Sequence, residues 1–461
     1  MRGSFTLDLE NVMGEDKMAL PESKLSARPA LKKKSSYRWV VLLIIFGVYL
    51  VCMADRTNIG VVLPFIKEEF TLNNFQAGAI ASFFFLGYAL TQIPAGFLLG
   101  KKGTRGVAAI AILAFSVVTF FLGTVKNATA LVLLRLGLGV AEGPAPVSLT
   151  STINQWFPAK EKATATGVYI ASTQLAPILV PIIAAWIAVE HGWRSVFFWF
   201  AIPGIVMALV WYLFVRSKPE DSPQVSEAEL NYIRQSETVE EVKEGGRTSL
   251  GWIDKLIRYQ KVEPLTTNKS IYKSWNIWGN TLSYFFMNSV LYGMLTWVPM
   301  YLVNAKGYSI MKMGFLASTP AIGGLVGAIL GGIISDRVFL KRRKPTMLLT
   351  ALLTAIMMLV VMNIPNSSVL VAPCLGLSGF FLNIGWPAFT AYPMGLTTRD
   401  TYPVAIATIN SGGNLGGFFS PMIVGAILDA TGNYNLAFGF FGVLLVLGFI
   451  VISTLKEPVQ K

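Results

Sequence analysis

Apolar stretches of roughly 20 residues, each long enough to cross ~30 Å of hydrocarbon as a helix, recur along almost the whole chain and are broken only by short polar segments. Read between those breaks, they predict spans at 39–64, 75–99, 104–125, 129–151, 164–189 and 194–216. A second set follows at 274–303, 313–335, 345–364, 369–395, 403–428 and 435–455. The pattern predicts an all-α integral membrane protein with twelve transmembrane helices in two six-helix bundles. Its organisation is a tail over 1–38, a first bundle over 39–216, a polar linker over 217–273, a second bundle over 274–455 and a short tail over 456–461. The linker carries Ser226-x-x-Glu229, the pattern of a capping box, and apolar residues at Trp252, Ile253, Leu256 and Ile257. Two short helices at the membrane surface are expected there.

Composition agrees with the pattern and narrows the class. Hydrophobic residues make up 53% of the chain and charged residues 14%, and mean hydropathy is +0.56, too apolar for a water-soluble domain of this length. The basic residues then give an orientation. With the N-terminus cytoplasmic, about 31 of the 38 Lys and Arg fall in cytoplasmic segments and about five outside. The formal charge of +13 is accordingly read as topology, and no nucleic-acid partner is expected. The first residues are polar and basic with no apolar core before a small-residue cleavage site, so they read as a tail and not as a signal peptide. Cys52 and Cys374 both fall in apolar windows, which suggests neither a disulfide framework nor a metal site. No cofactor is expected, and no set of catalytic groups points to an enzyme.

Ionisable side chains are costly in a bilayer, so those inside the spans are the first candidates for function. Asp55, Arg56, Arg135 and Glu142 all lie well inside, and all four belong to the N-terminal half. Arg135 and Glu142 are seven residues apart, hence on one helix face and about 10 Å apart along the axis. An ion pair between Asp55 and Arg135 across spans one and four is expected, which leaves Arg56 without an obvious partner. Its planar fork matches a carboxylate, making it the anion-binding candidate. Glu142, beside Gly143, Pro144 and Pro146 in a low-dielectric setting, suits a proton carrier, with Asp55 and Arg135 as its coupling partners. A buried network that only holds helices together is the alternative reading of the same charges.

Two loops then bring a resemblance into view. "GFLLGKKGTR" from Gly96 corresponds to "GIISDRVFLKRR" from Gly332, and the second copy carries a Gly followed by Asp-Arg and basic residues at Gly332, Asp336, Arg337, Lys341 and Arg342. Together with "ADRTNIGVVLP", "LLRLGLGVAEGPAPV" and "NQWFPAKEKATATG", these resemble the major facilitator superfamily, and within it the anion:cation symporters that include bacterial aldonate, hexuronate and aldarate permeases. The resemblance runs from Arg38 to Pro458. It implies the major facilitator fold, a gating motif at Gly96, Gly100, Lys101, Arg105, Gly332, Asp336 and Arg337, and a sugar-acid cavity lined by Tyr88, a span-five amide near Gln174, Trp386 and Asn410. In the first copy Gly100 stands where the family has Asp and Lys101 where it has Arg.

Other polar residues inside spans, among them Gln92, Thr173, Asn276, Asn280, Tyr284 and Asn383, serve either as ligand contacts or as interhelical hydrogen bonds. Gly323, Gly327 and Gly331, and likewise Gly413 and Gly417, point to close helix packing, and Pro177, Pro181 and Pro387 to kinks. The expected function is proton-coupled import of a small organic anion, a sugar acid of the aldonate, hexuronate or aldarate kind as the resemblance implies, by alternating access in a monomer among membrane lipids, in a bacterial inner membrane with both termini cytoplasmic. Export of the drug/proton antiporter type, or symport of a non-sugar carboxylate, are the alternatives. Because Gly100 supplies no carboxylate, Gly100→Asp is expected to shift the resting population outward, read as changed cysteine accessibility in the cavity. Unchanged accessibility would mean that other contacts close the gate.

Overall fold

The computed structural model describes residues 35–235, 250–398 and 401–459, so most of the N-terminal tail, the middle of the linker and the last two residues lie outside the described residues. Six helices make up the first bundle: α1 (Tyr37–Glu69), α2 (Asn74–Lys102), α3 (Thr104–Leu122), α4 (Ala128–Trp156), α5 (Ala159–His191) and α6 (Trp193–Phe214). The second bundle holds α7 (Trp275–Asn304), α8 (Ile310–Val338), α9 (Lys344–Met362), α10 (Ser368–Gly395), α11 (Tyr402–Thr431) and α12 (Tyr434–Thr454). Among the described residues, ten helices are long and apolar enough to count as spans by length and composition alone. α11 reaches its 30 residues with a Gly-, Ser- and Asn-rich middle, which lowers its hydropathy without shortening it.

The internal repeat is visible in the packing. α1 packs on α5, α2 on α4 and α3 on α6, and the same three pairings recur as α7 on α11, α8 on α10 and α9 on α12. The Gly323, Gly327 and Gly331 stripe lies against the main chain of α10, where a Cβ would meet carbonyl oxygens of Gly376, Phe380 and Ile384 at 1.8–2.1 Å. Three helices are interrupted. α4 breaks at Gly143, α8 at Ser318 and α10 at Gly385. The expected kink at Pro387 is therefore realised at Gly385, while α5 continues as one helix through Pro177 and Pro181.

The linker is divided between the bundles. Its first helix, Glu227–Gln235, begins with Glu229 N–H donating to Ser226 Oγ at 3.3 Å. The other half of the expected capping box is not made. The Glu229 carboxylate instead accepts from Tyr37 N, Arg38 N and Arg38 Nη1 at 2.9–3.2 Å, capping the start of α1. Burial works against that charge, but bonds from Ser35, Arg38 and Tyr37 outweigh it and hold the carboxyl below its ordinary range. Further along, a five-residue helix at Trp252–Leu256 leaves Trp252 and Leu256 exposed, and a third short helix covers Asn268–Lys273. Tyr259–Gln260 then pairs in parallel with Glu457–Pro458 from the C-terminal tail. Glu457 accepts from the main-chain N–H groups of Arg343 and Lys344 at 2.8 Å and so caps α9, while burial pushes its carboxyl up to about 7.

Both tails leave from one face of the molecule, and the bundles are joined toward the opposite face. There Asp429, near the end of α11, accepts from Asn74 N, Asn74 Nδ2 and Phe75 N, all at 2.8 Å, and caps the start of α2. Gly78 and Gly425 let α2 and α11 touch, since a Cβ on either would lie 2.3–2.4 Å from the Pro421 or Asn74 carbonyl oxygen. Nearer the tail face, a Cβ on Gly96 of α2, Gly167 of α5 or Gly332 of α8 would meet nothing within 4 Å among the described residues. Asp429 is exposed, and a carboxylate on a helix N-terminus contributes about 0.3–1 kcal/mol at the surface. Asp429→Ala is accordingly expected to lengthen the distance between spin labels at Gln76 and Thr431. An unaltered distance distribution would mean that the glycine contacts alone hold the bundles together at that face.

Candidate functional site

α1 carries the first part of the site at its middle. Successive residues turn by about 100°, so Asp55 and Arg56 leave the helix in different directions. Arg56 points to the break in α4. Its Nε and Nη2 both donate to Glu142 Oε1, at 2.8 and 2.5 Å, and both side chains are buried. Glu142 is the last residue before Gly143, and its second oxygen has no partner among the described residues. The guanidinium lies over the Tyr88 ring at 4.3 Å and near Phe84 at 5.2 Å, so α2 supplies an aromatic bed for the cation.

Asp55 turns the other way. The Thr119 hydroxyl of α3 donates to its Oδ2 at 2.9 Å, and Oδ1 has no partner among the described residues. Arg135 reaches main chain instead of carboxylate: Nη1 donates to the Asp55 carbonyl oxygen at 3.1 Å and Nε to that of Ile80 at 3.2 Å. The expected ion pair between Asp55 and Arg135 is thus not made, and Arg56, expected to be free, is the residue with an ionic partner. The cause lies in helix rotation, because the Arg135 fork meets the α1 and α2 backbones while the Asp55 carboxylate faces α3. One charged group spans these helices all the same, since Arg135 ties α4 to α1 and α2.

On the other side, Gln174 Nε2 of α5 donates to Asn383 Oδ1 of α10 at 3.0 Å, a bond between the bundles. Gly324 lies beneath both amides, where a Cβ would come within 2.7 Å of Asn383 Nδ2. Trp386 opens the second segment of α10, and its ring is 5.1 Å from that of Tyr284. Asn410 is half-buried on α11, and no bond links its amide to the other candidates among the described residues. Asn276 and Asn280 are structural: the first accepts from Lys456 N at 3.1 Å, the second donates to the Phe389 carbonyl at 2.9 Å.

Several neighbours of Arg56 escaped the sequence reading. Tyr49 stacks on Tyr169 at 4.3 Å, and Tyr292 of α7 lies 4.1 Å from Phe85. Tyr49 is seven residues before Arg56, hence on its face of α1, and Tyr292 continues the spacing of Tyr284 and Asn288; those periodicities were the available signals. The motif residues at the tail face make local contacts. Asp336 accepts from Arg343 Nη1 at 2.6 Å, in a widened turn at Ile334–Val338, and Arg337 stands exposed beside it. Arg105 donates to the Tyr212 carbonyl at 2.9 Å. Gly100 and Lys101 belong to the last turns of α2, and their side-chain surroundings lie outside the described residues.

Two related six-helix bundles around a charged centre define a multi-pass membrane transporter, not an enzyme. The chain belongs to the Major Facilitator Superfamily, whose sequence model it matches over residues 45–375 and 313–461. It is 29% identical over 450 residues to the probable galactarate/D-glucarate transporter GudP of Bacillus subtilis, covering 93% of this chain and 94% of that one. It is 30% identical over 445 residues to the D-galactonate transporter of Escherichia coli O6:H1, covering 93% and 98%. Among solved structures, a bacterial homolog of the human lysosomal transporter Spinster, inward-facing and occupied, superposes with a TM-score of 0.71 at 16% identity, over 91% of this chain and 97% of that one.

The Arg56 and Glu142 pair makes its own prediction about stability. Removing one member of a buried pair costs roughly 3 kcal/mol or more, because the other charge is left without compensation. Arg56→Ala is expected to lower the melting temperature in detergent, and Arg56→Ala with Glu142→Gln to recover most of the loss. A double variant no more stable than the single would mean that Arg56 contributes by packing on Tyr88 alone.

Proposed function

We propose that the protein is a proton-coupled symporter that imports a sugar acid by alternating access, acting as a monomer in a bacterial inner membrane with both termini cytoplasmic. The relatives named for galactarate, D-glucarate and D-galactonate support the substrate class, and the excess of Lys and Arg at the tail face supports the orientation. The observation that carries the mechanism is the shared oxygen of the Arg56 and Glu142 pair.

Arg56 presents one fork, and Glu142 occupies it in this state. A substrate carboxylate competes for the same donors, with a geometry that allows two parallel bonds where Glu142 makes both to one oxygen. Once displaced, Glu142 is a buried carboxylate without a cation, a state that a proton relieves. Substrate and proton therefore favour each other's binding by the same factor. Tyr88 holds the guanidinium plane, and Gln174, Asn383, Trp386 and Asn410 offer amide and indole donors to the hydroxyl-bearing chain. Asp55, held by Thr119 with one oxygen free among the described residues, is the second group able to take a proton. Opening at the tail face follows when the bundles rock about their contacts, with Asp429 and the opposed glycines closing the other side.

The test is transport into proteoliposomes. The wild-type protein is expected to accumulate labelled galactonate when the interior is made alkaline. Glu142→Gln, a mimic of the protonated form, exchanges galactonate across the membrane but does not concentrate it. Arg56→Ala does neither, and Arg56→Lys retains a small part of the exchange. Accumulation by Glu142→Gln under the pH gradient would remove Glu142 from the role of proton carrier, and a wild-type protein inert toward sugar acids would sink the substrate assignment.

A further inference from the structure

The two walls of the site differ in charge. Asp55, Arg56, Arg135 and Glu142 all stand on α1 and α4, and their formal charges cancel. Helices α7 to α12 carry charged side chains only at or near their ends, at Lys312, Asp336, Arg337, Lys344 and Asp429. Between those ends the C-terminal wall is neutral and rich in hydrogen-bonding groups. Tyr284, Asn288 and Tyr292 follow one face of α7, with Asn383 and Trp386 on α10 and Asn410 on α11. Asn288 is 1% exposed and its Nδ2 has no partner among the described residues, whereas Asn383 is engaged at both ends, its oxygen by Gln174 and its Nδ2 by the Gly379 carbonyl.

We infer that the site accepts one net negative charge per substrate, so that a dicarboxylate binds with one proton more than a monocarboxylate of the same length. This rests on the reading of Arg56 as the carboxylate site and extends it to the far end of the substrate. The first carboxylate takes Arg56 and is balanced by the proton on Glu142. A second ionised carboxylate, laid against the C-terminal wall, meets amides and phenols but no cation. Amide donors bind an anion only weakly relative to the water it has lost, and the unbalanced charge is costly in a site surrounded by hydrocarbon. A carboxyl that keeps its proton is both donor and acceptor, as an Asn or Gln amide is, and satisfies the same wall without the charge. The proton is taken from solvent, either by the distal carboxylate or by Asp55, whose Oδ1 is free among the described residues. Aldonates and hexuronates fit as they are, whereas aldarates enter with the extra proton.

Proton linkage gives the measurement. The titrations of the free protein are common to two ligands of equal length and cancel in the ratio of their dissociation constants, which leaves the proton taken up with the second carboxylate, whether it sits on the ligand or on Asp55. Galactonate and galactarate are titrated calorimetrically into the purified full-length protein across the range pH 6 to 8. The ratio of the galactarate Kd to the galactonate Kd is expected to rise about tenfold for each pH unit, the slope of one additional proton. A ratio that does not change with pH, with both acids binding, overturns this inference alone. Binding by neither acid overturns the reading of the site as well. Asn410→Lys, which places a cation on the C-terminal wall at a half-buried position, is expected to flatten the ratio, and a folded variant that keeps the wild-type slope overturns the assignment of the second charge to that wall. The wild-type slope decides the question whether or not this variant folds.

Discussion

Charge inside hydrocarbon must be balanced within a few ångströms, and the first bundle is arranged around that requirement. Arg56 and Glu142 meet because α1 presents the arginine toward the point where α4 is interrupted at Gly143. Arg135 ties α4 to the backbones of α1 and α2, and Thr119 holds Asp55 from α3. Four helices are thereby fixed by polar contacts that could not be exchanged for lipid contacts. The same arrangement leaves one oxygen on Glu142 and one on Asp55 unbonded among the described residues, so the network is complete enough to be stable and open enough to react.

A carrier needs walls that hold firmly inside each bundle and lightly between them. Within the second bundle, α8 and α10 approach to main-chain contact along the glycine stripe, which makes them one rigid unit. Between bundles, α2 and α11 also come to main-chain contact at Gly78 and Gly425, and varied side-chain contacts add to it: Asp429 on the start of α2, Gln174 on Asn383, and the ring pair of Phe85 and Tyr292. Each contributes on the order of 1 kcal/mol, a scale that substrate and proton binding can overcome. The linker follows the same division. Its beginning is held to α1 by Glu229, and its end is held to α9 and the C-terminal tail through Tyr259, Gln260 and Glu457.

The spans were legible because crossing a bilayer is a local demand: roughly 20 apolar residues satisfy it wherever they occur. The candidate charges were legible for a related reason, since a charge in hydrocarbon stands out against any apolar window. Membership of the superfamily was legible at the end of α8, where Gly332, Asp336 and Arg337 keep the motif that Gly100 and Lys101 have lost. The aromatic surroundings were less so. Tyr49 and Tyr292 read as ordinary buried tyrosines until the helices that carry them are placed against Tyr169 and Phe85.

By itself, then, the sequence determined that this chain crosses the membrane twelve times in two related sets, that its intramembrane charge is confined to the first set, and which residues bear it. Those properties depend on composition and on spacing along single helices. Only the tertiary structure decided the partners. Whether Asp55 meets Arg135, and whether Arg56 stands free or takes Glu142, depends on the rotation and depth of α1 against α4, and a rotation of one residue, about 100°, exchanges the answers. The same is true of Glu229, which suits a capping box on its own helix but meets the exposed N–H groups of α1 first. It is true again of Asp429, an ordinary residue near a helix end until the start of α2 is brought within 2.8 Å of it. Pairing is a property of distance in three dimensions, and for groups separated by 86 to 355 positions the chain order carries no record of that distance.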